Sequence, residues 1–254
     1  MKLIDNHCHL DFPQFDGERE EVIEKCEEDL ELVVNSGSDI TTNKSTLELS
    51  EKHRGFIYPT VGLHPTKIEE KNEEDLEEVL KMIRENSDKI VAVGEIGMDF
   101  FHEKTDKGRE KQENFFRKLL ELAEEIGKPV VVHSRDAEKQ VLEILEDYDL
   151  RSVIMHCFNG SKELVDKAVN KGYFISVTTQ VLYSKRVREI VETAPIDKIL
   201  LETDAPYLYP GKEKNYPYNV HESLKKIASI LVASKKELGE QFNKNTREAY
   251  LGVF

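Results

Sequence analysis

The sequence predicts an α/β protein whose eight parallel strands form a (β/α)8 TIM-type barrel. Eight short apolar runs, rich in Val, Ile and Leu, occur along the 254 residues, and segments with helical periodicity separate them. Nearly continuous apolar runs are typical of parallel strands buried on both faces. The even spacing of eight such units favours a closed barrel over an open doubly wound sheet, which is the alternative architecture.

The first half of the chain contains four predicted strands, in residues 1–10, 30–35, 55–61 and 90–93, with helices at 18–29, 38–53 and 72–85. The helix at 18–29 follows from the spacing of Val22, Ile23 and Cys26. Ser38 and Asp39 are residue types that cap helix N-termini, so the second helix begins there. Residues 94–99 are predicted as the loop that leaves the fourth strand.

The second half repeats the pattern, with strands at 129–133, 153–156, 173–177 and 199–203. A helix at 108–126 carries an apolar stripe and ends at Gly127, the residue type favoured for a left-handed C-cap. Residues 207–220 form an irregular loop that we place over the barrel mouth, and two or three helices follow. The sequence has no linker or low-complexity tract, so we predict one barrel domain over residues 1–254.

The composition excludes some classes of partner. Acidic residues number 50 against 36 basic ones, and a net charge of -14 argues against a surface that binds nucleic acid or anionic membranes throughout. A local site for phosphate remains open, because two divalent ions would add positive charge there. Three widely spaced cysteines and the lack of an 18-residue apolar run predict a cytoplasmic protein with no membrane association and no obligate protein partner.

Polar side chains recur where the predicted strands end, which is the face that carries barrel active sites. They are His7 and His9 after the first strand, His64 after the third, Glu95 after the fourth, His133 after the fifth, His156 after the sixth and Asp204 after the eighth. Any one histidine is more often an ordinary hydrogen-bonded residue than a ligand. The whole set is difficult to attribute to chance, so we interpret it as a metal site.

The expected positions of these residues around the barrel predict a dinuclear metal centre. Strand eight adjoins strand one in a barrel, which places Asp204 near His7 and His9, and a carboxylate such as Glu95 can bridge two ions. The first metal would bind His7, His9, Glu95 and Asp204, and the second would bind Glu95, His133 and His156. Zinc fits imidazole and carboxylate ligands, with magnesium, manganese and iron as alternatives. Cys8 faces away from both histidines.

Two adjacent ions lower the pKa of a shared water and would produce a bridging hydroxide near neutral pH. Asp204 is then either the general base or only a ligand, and the sequence leaves both roles open. His64 is a candidate donor to a substrate oxygen, and a structural role is the alternative.

Six stretches together resemble the successive motifs of the TatD-type metal-dependent deoxyribonucleases. They are Asn-His-Cys-His-Leu-Asp at 6–11, Val-Gly-Leu-His-Pro at 61–65, Gly-Glu-Ile-Gly-Met-Asp at 94–99, Val-His-Ser-Arg-Asp-Ala at 132–137, His-Cys-Phe-Asn-Gly-Ser at 156–161 and Leu-Glu-Thr-Asp-Ala-Pro-Tyr at 201–207. The resemblance implies divalent-metal hydrolysis of DNA phosphodiesters, often from the 3′ end, with RNA as a possible second substrate. Its ligand positions are the six residues already grouped above. Residues 177–180 and 210–217 depart from the family pattern, and both should face the substrate.

Other residues near the predicted mouth are candidates for substrate binding. Arg135 can contact a phosphate with two N–H groups, and Asn159 and Ser161 open a helix whose free N–H groups favour an anion. The alternatives are that Arg135 pairs with a neighbouring carboxylate and that Ser161 only caps the helix. Lys212 and Lys214 lie among four tyrosines, which would suit single-stranded nucleic acid or would equally serve to pack a long loop.

Three functions are compatible with these residues. The first is a phosphodiesterase, most specifically a DNA exonuclease. The second is an amidohydrolase or lactonase acting on a small neutral substrate, which suits the acidic surface better. Many such barrels use a lysine where this chain has Glu95, and the glutamate favours the first reading. A non-catalytic metal-binding scaffold is the third hypothesis, and it gives the complete set of metal ligands no catalytic role.

Overall fold

A computed structural model describes residues 1–254, apart from the side chain of Lys212. Eight strands form one parallel sheet in the order of the sequence, which confirms the predicted barrel architecture. The strands are β1 (Leu3–Cys8), β2 (Leu30–Ser36), β3 (Ile57–Val61), β4 (Ala92–Gly97), β5 (Val130–His133), β6 (Val153–Met155), β7 (Phe174–Val177) and β8 (Ile199–Leu201). A connection with at least one helix joins each strand to the next.

The helices are α1 (Arg19–Asp29), α2 (Ile40–Lys52), α3 (Glu73–Glu85), α4 (Asp106–Ile126), α5 (Glu138–Leu145), α6 (Lys162–Asn170), α7 (Lys185–Thr193), α8 (Val220–Leu231) and α9 (Lys235–Ala249). The predicted helix boundaries follow from local chemistry. The Asp39 carboxylate accepts a hydrogen bond from Thr42 N at 2.9 Å and caps α2. Gly127 adopts a left-handed conformation, with φ of 64°, and ends α4.

The core has two parts because each strand is buried on both faces. Neighbouring residues of β2 illustrate this: Leu32 and Val34 belong to a small apolar cluster, whereas Val33 between them belongs to the large cluster that includes the helices. The small cluster also contains Tyr250, which follows α9 and is fully buried. Its hydroxyl donates to Asn6 Oδ1 at 3.0 Å. This double burial is the reason for the apolar runs in the sequence.

The barrel closes next to its carboxyl rim. A parallel bridge pairs Cys8 with Ala205, four residues after β8 ends. Asp204 N donates to His7 O at 2.9 Å, and His9 N donates to Ala205 O at 2.8 Å. The expected proximity of the first and eighth strands is therefore confirmed, and the contacts that join them involve residues predicted to bind metal.

The predicted location of Glu95 in a loop is wrong, because β4 extends to Gly97. The two glycines of the stretch 94–97 disfavour a strand locally, but parallel pairing of Ile96 with Val132 and of Gly97 with His133 holds it in the sheet. In contrast, β6 ends at Met155 and β8 at Leu201, one and two residues before the predicted ends. His156 N and Glu202 N make the last interstrand hydrogen bonds, to Val132 O at 3.0 Å and to Val177 O at 3.1 Å.

Gly97→Ala is expected to lower the free energy of unfolding by several kcal/mol. Gly97 has a φ of 140°, and a Cβ there would lie 2.0 Å from the carbonyl oxygen of His133. Backbone strain of about 1–2 kcal/mol would be added to that clash. The control is Gly172→Ala, where φ is 85° but no atom lies within 4 Å of the added Cβ. Urea unfolding should separate the two variants, and equal losses would contradict a clash at Gly97.

None of the helices within the described part of the chain combines the length and the apolar character needed to cross a membrane.

Candidate metal centre

Glu95 lies at the centre of a buried cluster of imidazoles and is 2% exposed. Its Oε2 atom is 3.5 Å from His7 Nε2 and 4.0 Å from His9 Nε2. Its Oε1 atom is 2.9 Å from His133 Nδ1, 3.2 Å from His64 Nε2 and 3.6 Å from His156 Nε2. The two carboxylate oxygens therefore face different histidines, as the bridging hypothesis requires.

Asp204 approaches the same cluster from the turn after β8. Its Oδ1 atom is 3.3 Å from His9 Nε2, 3.8 Å from His7 Nε2 and 3.9 Å from His156 Nε2. The residue has a φ of 56°, a conformation that aspartate tolerates better than most residues. All six predicted metal ligands and His64 thus meet at one place on the rim.

Three of the histidines are oriented by acceptors behind them. His9 Nδ1 donates to the carbonyl oxygen of Ser36 at 2.7 Å. His133 Nε2 donates to Asp99 Oδ2 at 3.0 Å, and His156 Nδ1 donates to Glu202 Oε2 at 3.0 Å. A proton on the outer nitrogen leaves a lone pair on the nitrogen that faces the cluster, which is the form of imidazole that binds a metal.

His64 is held in the opposite tautomer. Thr66 N donates to His64 Nδ1 at 3.2 Å, and the Thr66 hydroxyl lies 2.7 Å from the same atom. Because Nδ1 accepts, the proton of neutral His64 is on Nε2, which points into the cluster. In their neutral forms, His64 therefore presents an N–H group to the cluster, whereas His9, His133 and His156 present lone pairs.

Ser36, Asp99 and Glu202 are the residues that the sequence reasoning missed. Asp99 and Glu202 stand inside the quoted motifs at 94–99 and 201–207, so their residue types were visible. What the sequence did not indicate is the direction of each side chain toward a histidine on another strand. A carboxylate behind each of two candidate ligands is a common arrangement around protein-bound metals.

The donor atoms fit a divalent metal. Three groups of side chains have donor atoms within 4.8 Å of one another: His7, His9 and Glu95; His64, Glu95 and His133; and His7, His156 and Glu202. Nitrogen and carboxylate oxygen without thiolate suit zinc and also manganese or iron. The first group matches part of the predicted first site. The second contains His64 in place of the predicted His156, which lies 3.6 Å from Glu95.

The pKa values of the cluster residues are shifted in different directions. Burial alone would raise the pKa of Glu95, but the imidazoles of His64 and His156 hold it well below its usual range. Burial alone would lower the pKa of His156, but the carboxylates of Glu202 and Glu95 raise it to about 10. The pKa of His9 and that of His133 are also raised, against burial, by Asp204 and Asp99 respectively. Burial lowers the pKa of His7.

Metal binding is therefore expected to release protons and to strengthen as pH rises. A divalent ion binds neutral imidazole, whereas the raised pKa values of His9, His133 and His156 favour protonation in the metal-free protein. Raising the pH removes protons that compete with the ion, so affinity should increase between pH 6 and 8. Calorimetric titration with zinc in two buffers of different ionisation enthalpy would count the protons. His221→Ala is the control, and a binding heat independent of buffer would contradict the prediction.

Two cavities adjoin the cluster, and His133, His156 and Asp204 line both. The first, here called the aromatic cavity, has a volume of about 260 Å³ and is also lined by His9, Phe12, Ser38, His64, Thr66, Lys67, Glu95 and Tyr207. The second, here called the amide cavity, has a volume of about 180 Å³ and is also lined by Ser134, Arg135, Cys157, Asn159, Gln180 and Leu208. The cluster thus lies between two spaces of different chemistry.

Of the residues predicted to bind substrate, some line the amide cavity and one caps a helix. Arg135 is exposed and lines the amide cavity, and its guanidinium lies 3.7 Å from the centre of the Phe101 ring. Asn159 lines the same cavity. Ser161 caps α6, with its hydroxyl accepting from Leu164 N at 3.4 Å, as the alternative interpretation held.

The loop at 207–220 is largely used for packing. Lys214 Nζ lies 2.7 Å from Glu18 Oε1, and the rings of Tyr216 and Tyr218 stack with centroids 5.2 Å apart. Tyr207 remains 45% exposed and lines the aromatic cavity. The prediction for Lys212 falls on a side chain outside the described residues.

Comparison with known proteins identifies relatives over nearly the whole chain. The family model described as "TatD related DNase" matches residues 4–251. An uncharacterised metal-dependent hydrolase of Methanocaldococcus jannaschii is 36% identical over 97% of this chain and 96% of its own length. The deoxyribonuclease TATDN3 of Homo sapiens is 30% identical, covering 98% and 94%. A 3′-5′ ssDNA/RNA exonuclease TatD of Pantoea ananatis is 28% identical, covering 98% and 99%.

The crystal structure of a TatD homologue from Escherichia coli superposes with a TM-score of 0.88, at 28% identity over 96% of both chains.

Proposed function

Since the chain belongs to the family of TatD-related deoxyribonucleases, which are metal-dependent hydrolases, we propose that it removes nucleotides from the 3′ end of single-stranded DNA by hydrolysing phosphodiester bonds. RNA is a possible second substrate, as the name of the Pantoea relative indicates for that protein. The observation that carries the proposal is the position of Glu95, whose two oxygens face separate groups of histidines. This supports a centre of two divalent ions.

When bound, two divalent ions would supply a hydroxide nucleophile near neutral pH and would offset the negative charge of the phosphate under attack. The chain would provide the ligands His7, His9, Glu95, His133, His156 and Asp204. Asp204 is the more exposed of the two carboxylates, since 15% of its side chain is exposed against 3% for Glu95. It is therefore better placed to take a proton from the attacking water. Its other proposed role is that of ligand alone.

Residues around the cluster would bind and orient the substrate. His64 Nε2 carries a proton in the tautomer that Thr66 selects, so it would donate to a phosphate oxygen. Arg135 and Asn159 line the amide cavity and would donate to the phosphate or its neighbouring unit. Ser161, already used as a cap, would contribute through the start of α6.

An amidohydrolase or lactonase acting on a neutral substrate is the second candidate. The net charge of -14 favours it, because such a substrate would not be repelled from the surface. The same cluster could direct water at a carbonyl carbon. The cationic Arg135 beside the cluster and the glutamate at position 95 favour the phosphodiester instead.

Turnover of DNA is expected to fall as salt rises. Contacts to about two phosphates of a single strand would weaken binding roughly 7-fold between 50 and 200 mM salt, because counterions are released on binding. Purified protein would be assayed on single-stranded DNA, RNA, a generic phosphodiester and a neutral ester, with several divalent metals and a chelator control. Salt-independent hydrolysis of the neutral ester, with no cleavage of phosphodiesters, would overturn the proposal in favour of the second candidate.

A further inference from the structure

The amide cavity is chemically different from the aromatic cavity on the other side of the cluster. Phe12 stacks on His9 with centroids 4.4 Å apart, and Phe12 and Tyr207 give the aromatic cavity flat apolar surfaces. Such surfaces stack on any base with little selectivity. The amide cavity has Arg135, Asn159 and Gln180 in its lining, which are hydrogen-bonding groups. A nucleotide in the amide cavity would therefore be bound by specific polar contacts.

Gln180 is oriented so that its amide nitrogen is available to a ligand. The hydroxyl of Thr178 donates to Gln180 Oε1 at 3.5 Å, and the thiol of Cys157 donates to the same oxygen at 3.9 Å. Both contacts involve the oxygen, so the amide nitrogen lies on the other side of the group. The hydroxyl of Tyr183 interacts with the Gln180 side chain and can accept from one amide N–H group. The second N–H group remains for a ligand in the cavity that Gln180 lines.

The wall of the amide cavity opposite the strands is held in place. The carbonyl oxygen of Leu208 accepts from the Thr179 hydroxyl at 2.7 Å and from the Tyr183 hydroxyl at 3.4 Å. Asn215 is fully buried and its amide donates to the carbonyl oxygen of Tyr207 at 2.7 Å. These bonds attach the segment after β8 to the residues that follow β7. This fixed wall and the small volume of about 180 Å³ favour a single terminal unit over a continuing polymer.

We propose that the amide cavity binds the terminal nucleotide that the enzyme releases, and that Gln180 donates a hydrogen bond to an acceptor on its sugar or base. This inference rests on the proposed exonuclease function. The scissile phosphate lies at the cluster, the terminal nucleoside occupies the amide cavity and the remaining strand leaves through the aromatic cavity. Gln180 is thus a specificity-determining residue, within the stretch 177–180 that departs from the family pattern.

The test compares Gln180→Ala and Gln180→Glu with the unaltered protein, and Gln140→Ala serves as the matched control. Gln140 is a partly buried glutamine on α5 whose amide donates to Glu113 at 2.8 Å, away from the cavity. Each protein is assayed on a single-stranded oligonucleotide and on bis(p-nitrophenyl) phosphate, which contains no nucleoside. Binding of thymidine 5′-monophosphate to the metal-loaded proteins is measured by calorimetry.

Gln180→Ala is expected to raise KM for the oligonucleotide and the Kd of the mononucleotide by about 3- to 10-fold, the effect of one neutral hydrogen bond. Gln180→Glu should raise both constants further, because a carboxylate has no N–H group to donate and repels the acceptor and the negatively charged nucleotide. Hydrolysis of bis(p-nitrophenyl) phosphate should be unchanged, which also shows that the variants are folded.

Unchanged oligonucleotide KM and mononucleotide Kd in both variants would overturn the inference. Equal losses on the oligonucleotide and on bis(p-nitrophenyl) phosphate would also overturn it, because Gln180 would then act on the cluster and not on the nucleoside. Failure of the unaltered protein to cleave either phosphodiester would instead refute the proposed function. In that case the mononucleotide titration still decides whether Gln180 contributes to a nucleotide site.

Discussion

Glu95→Ala is expected to lower kcat/KM on DNA by at least about 10³-fold while leaving the fold intact. Glu95 is the carboxylate whose oxygens approach both His7 and His133, at 3.5 and 2.9 Å, and its loss would separate the two halves of the centre. Stabilisation of charge by a metal centre contributes several kcal/mol, which corresponds to a rate factor of about that size. Steady-state kinetics with saturating metal would measure the effect, and circular dichroism would verify the fold.

Glu95→Gln separates charge from shape, because the amide has the same size but cannot bridge two ions as an anion. Glu78→Ala on α3 is the control for loss of a glutamate far from the rim, where the side chain is exposed and 3.5 Å from Lys44. Both substitutions at position 95 should be inactive and the control should be unaffected. A rate close to that of the unaltered protein in Glu95→Gln would exclude a bridging role for this carboxylate.

Removal of divalent ions by a chelator is expected to abolish hydrolysis and to lower the thermal midpoint by roughly 5–10 °C. A ligand present at about 100 times its Kd stabilises the folded state by about 2.7 kcal/mol, and a chain of this length converts that into several degrees. Elemental analysis of the loaded protein should find about two ions per chain. Activity should return on addition of zinc or manganese to the chelated protein after dialysis.

The Glu95→Ala protein provides the comparison for this count. It should retain at most one ion per chain, because the carboxylate between the histidine groups is gone. Full activity in chelator with no bound ion, or one ion per chain at saturating metal in the unaltered protein, would contradict the two-metal proposal.

The fold could be predicted because a strand that is buried on both faces appears in the sequence as a nearly continuous apolar run. The apolar runs around Val33 and Val131 are examples, since neighbours in each run face opposite layers of the core. The pattern failed at β4, where Gly94 and Gly97 have no β-branched side chain and only pairing with β5 extends the strand. Interstrand pairing is a non-local interaction, which a local pattern cannot represent.

The candidate site was predictable in its residue types and less so in its contacts. The ends of all parallel strands lie at the carboxyl rim, so five histidines from the ends of four strands are expected to meet there. The tautomer of His64 depends on Thr66, and the amide orientation of Gln180 depends on Cys157 and Thr178. Lys214 lies against Glu18, 196 residues away, instead of facing a substrate. Such details depend on side-chain rotation, for which the sequence carries no periodic signal.

Cys157 illustrates the same point. It is only partly buried and lines the amide cavity. Its φ of 46° follows from the turn after β6, where its N–H group donates to Glu202 Oε1 at 2.8 Å. The turn that presents His156 therefore also places the thiol at the cavity wall.

The contact between the first strand and the segment after the last strand has a consequence for the kinetics of refolding. Because His7 and Asp204 come together only when the N-terminal strand meets the segment beyond β8, the first ligand set is incomplete in any intermediate that lacks that contact. Uptake of an ion requiring Asp204 thus reports the docking of the N-terminal strand against the segment beyond β8 during refolding. A spectroscopically visible ion such as cobalt would report that event in stopped-flow experiments, separately from earlier acquisition of secondary structure.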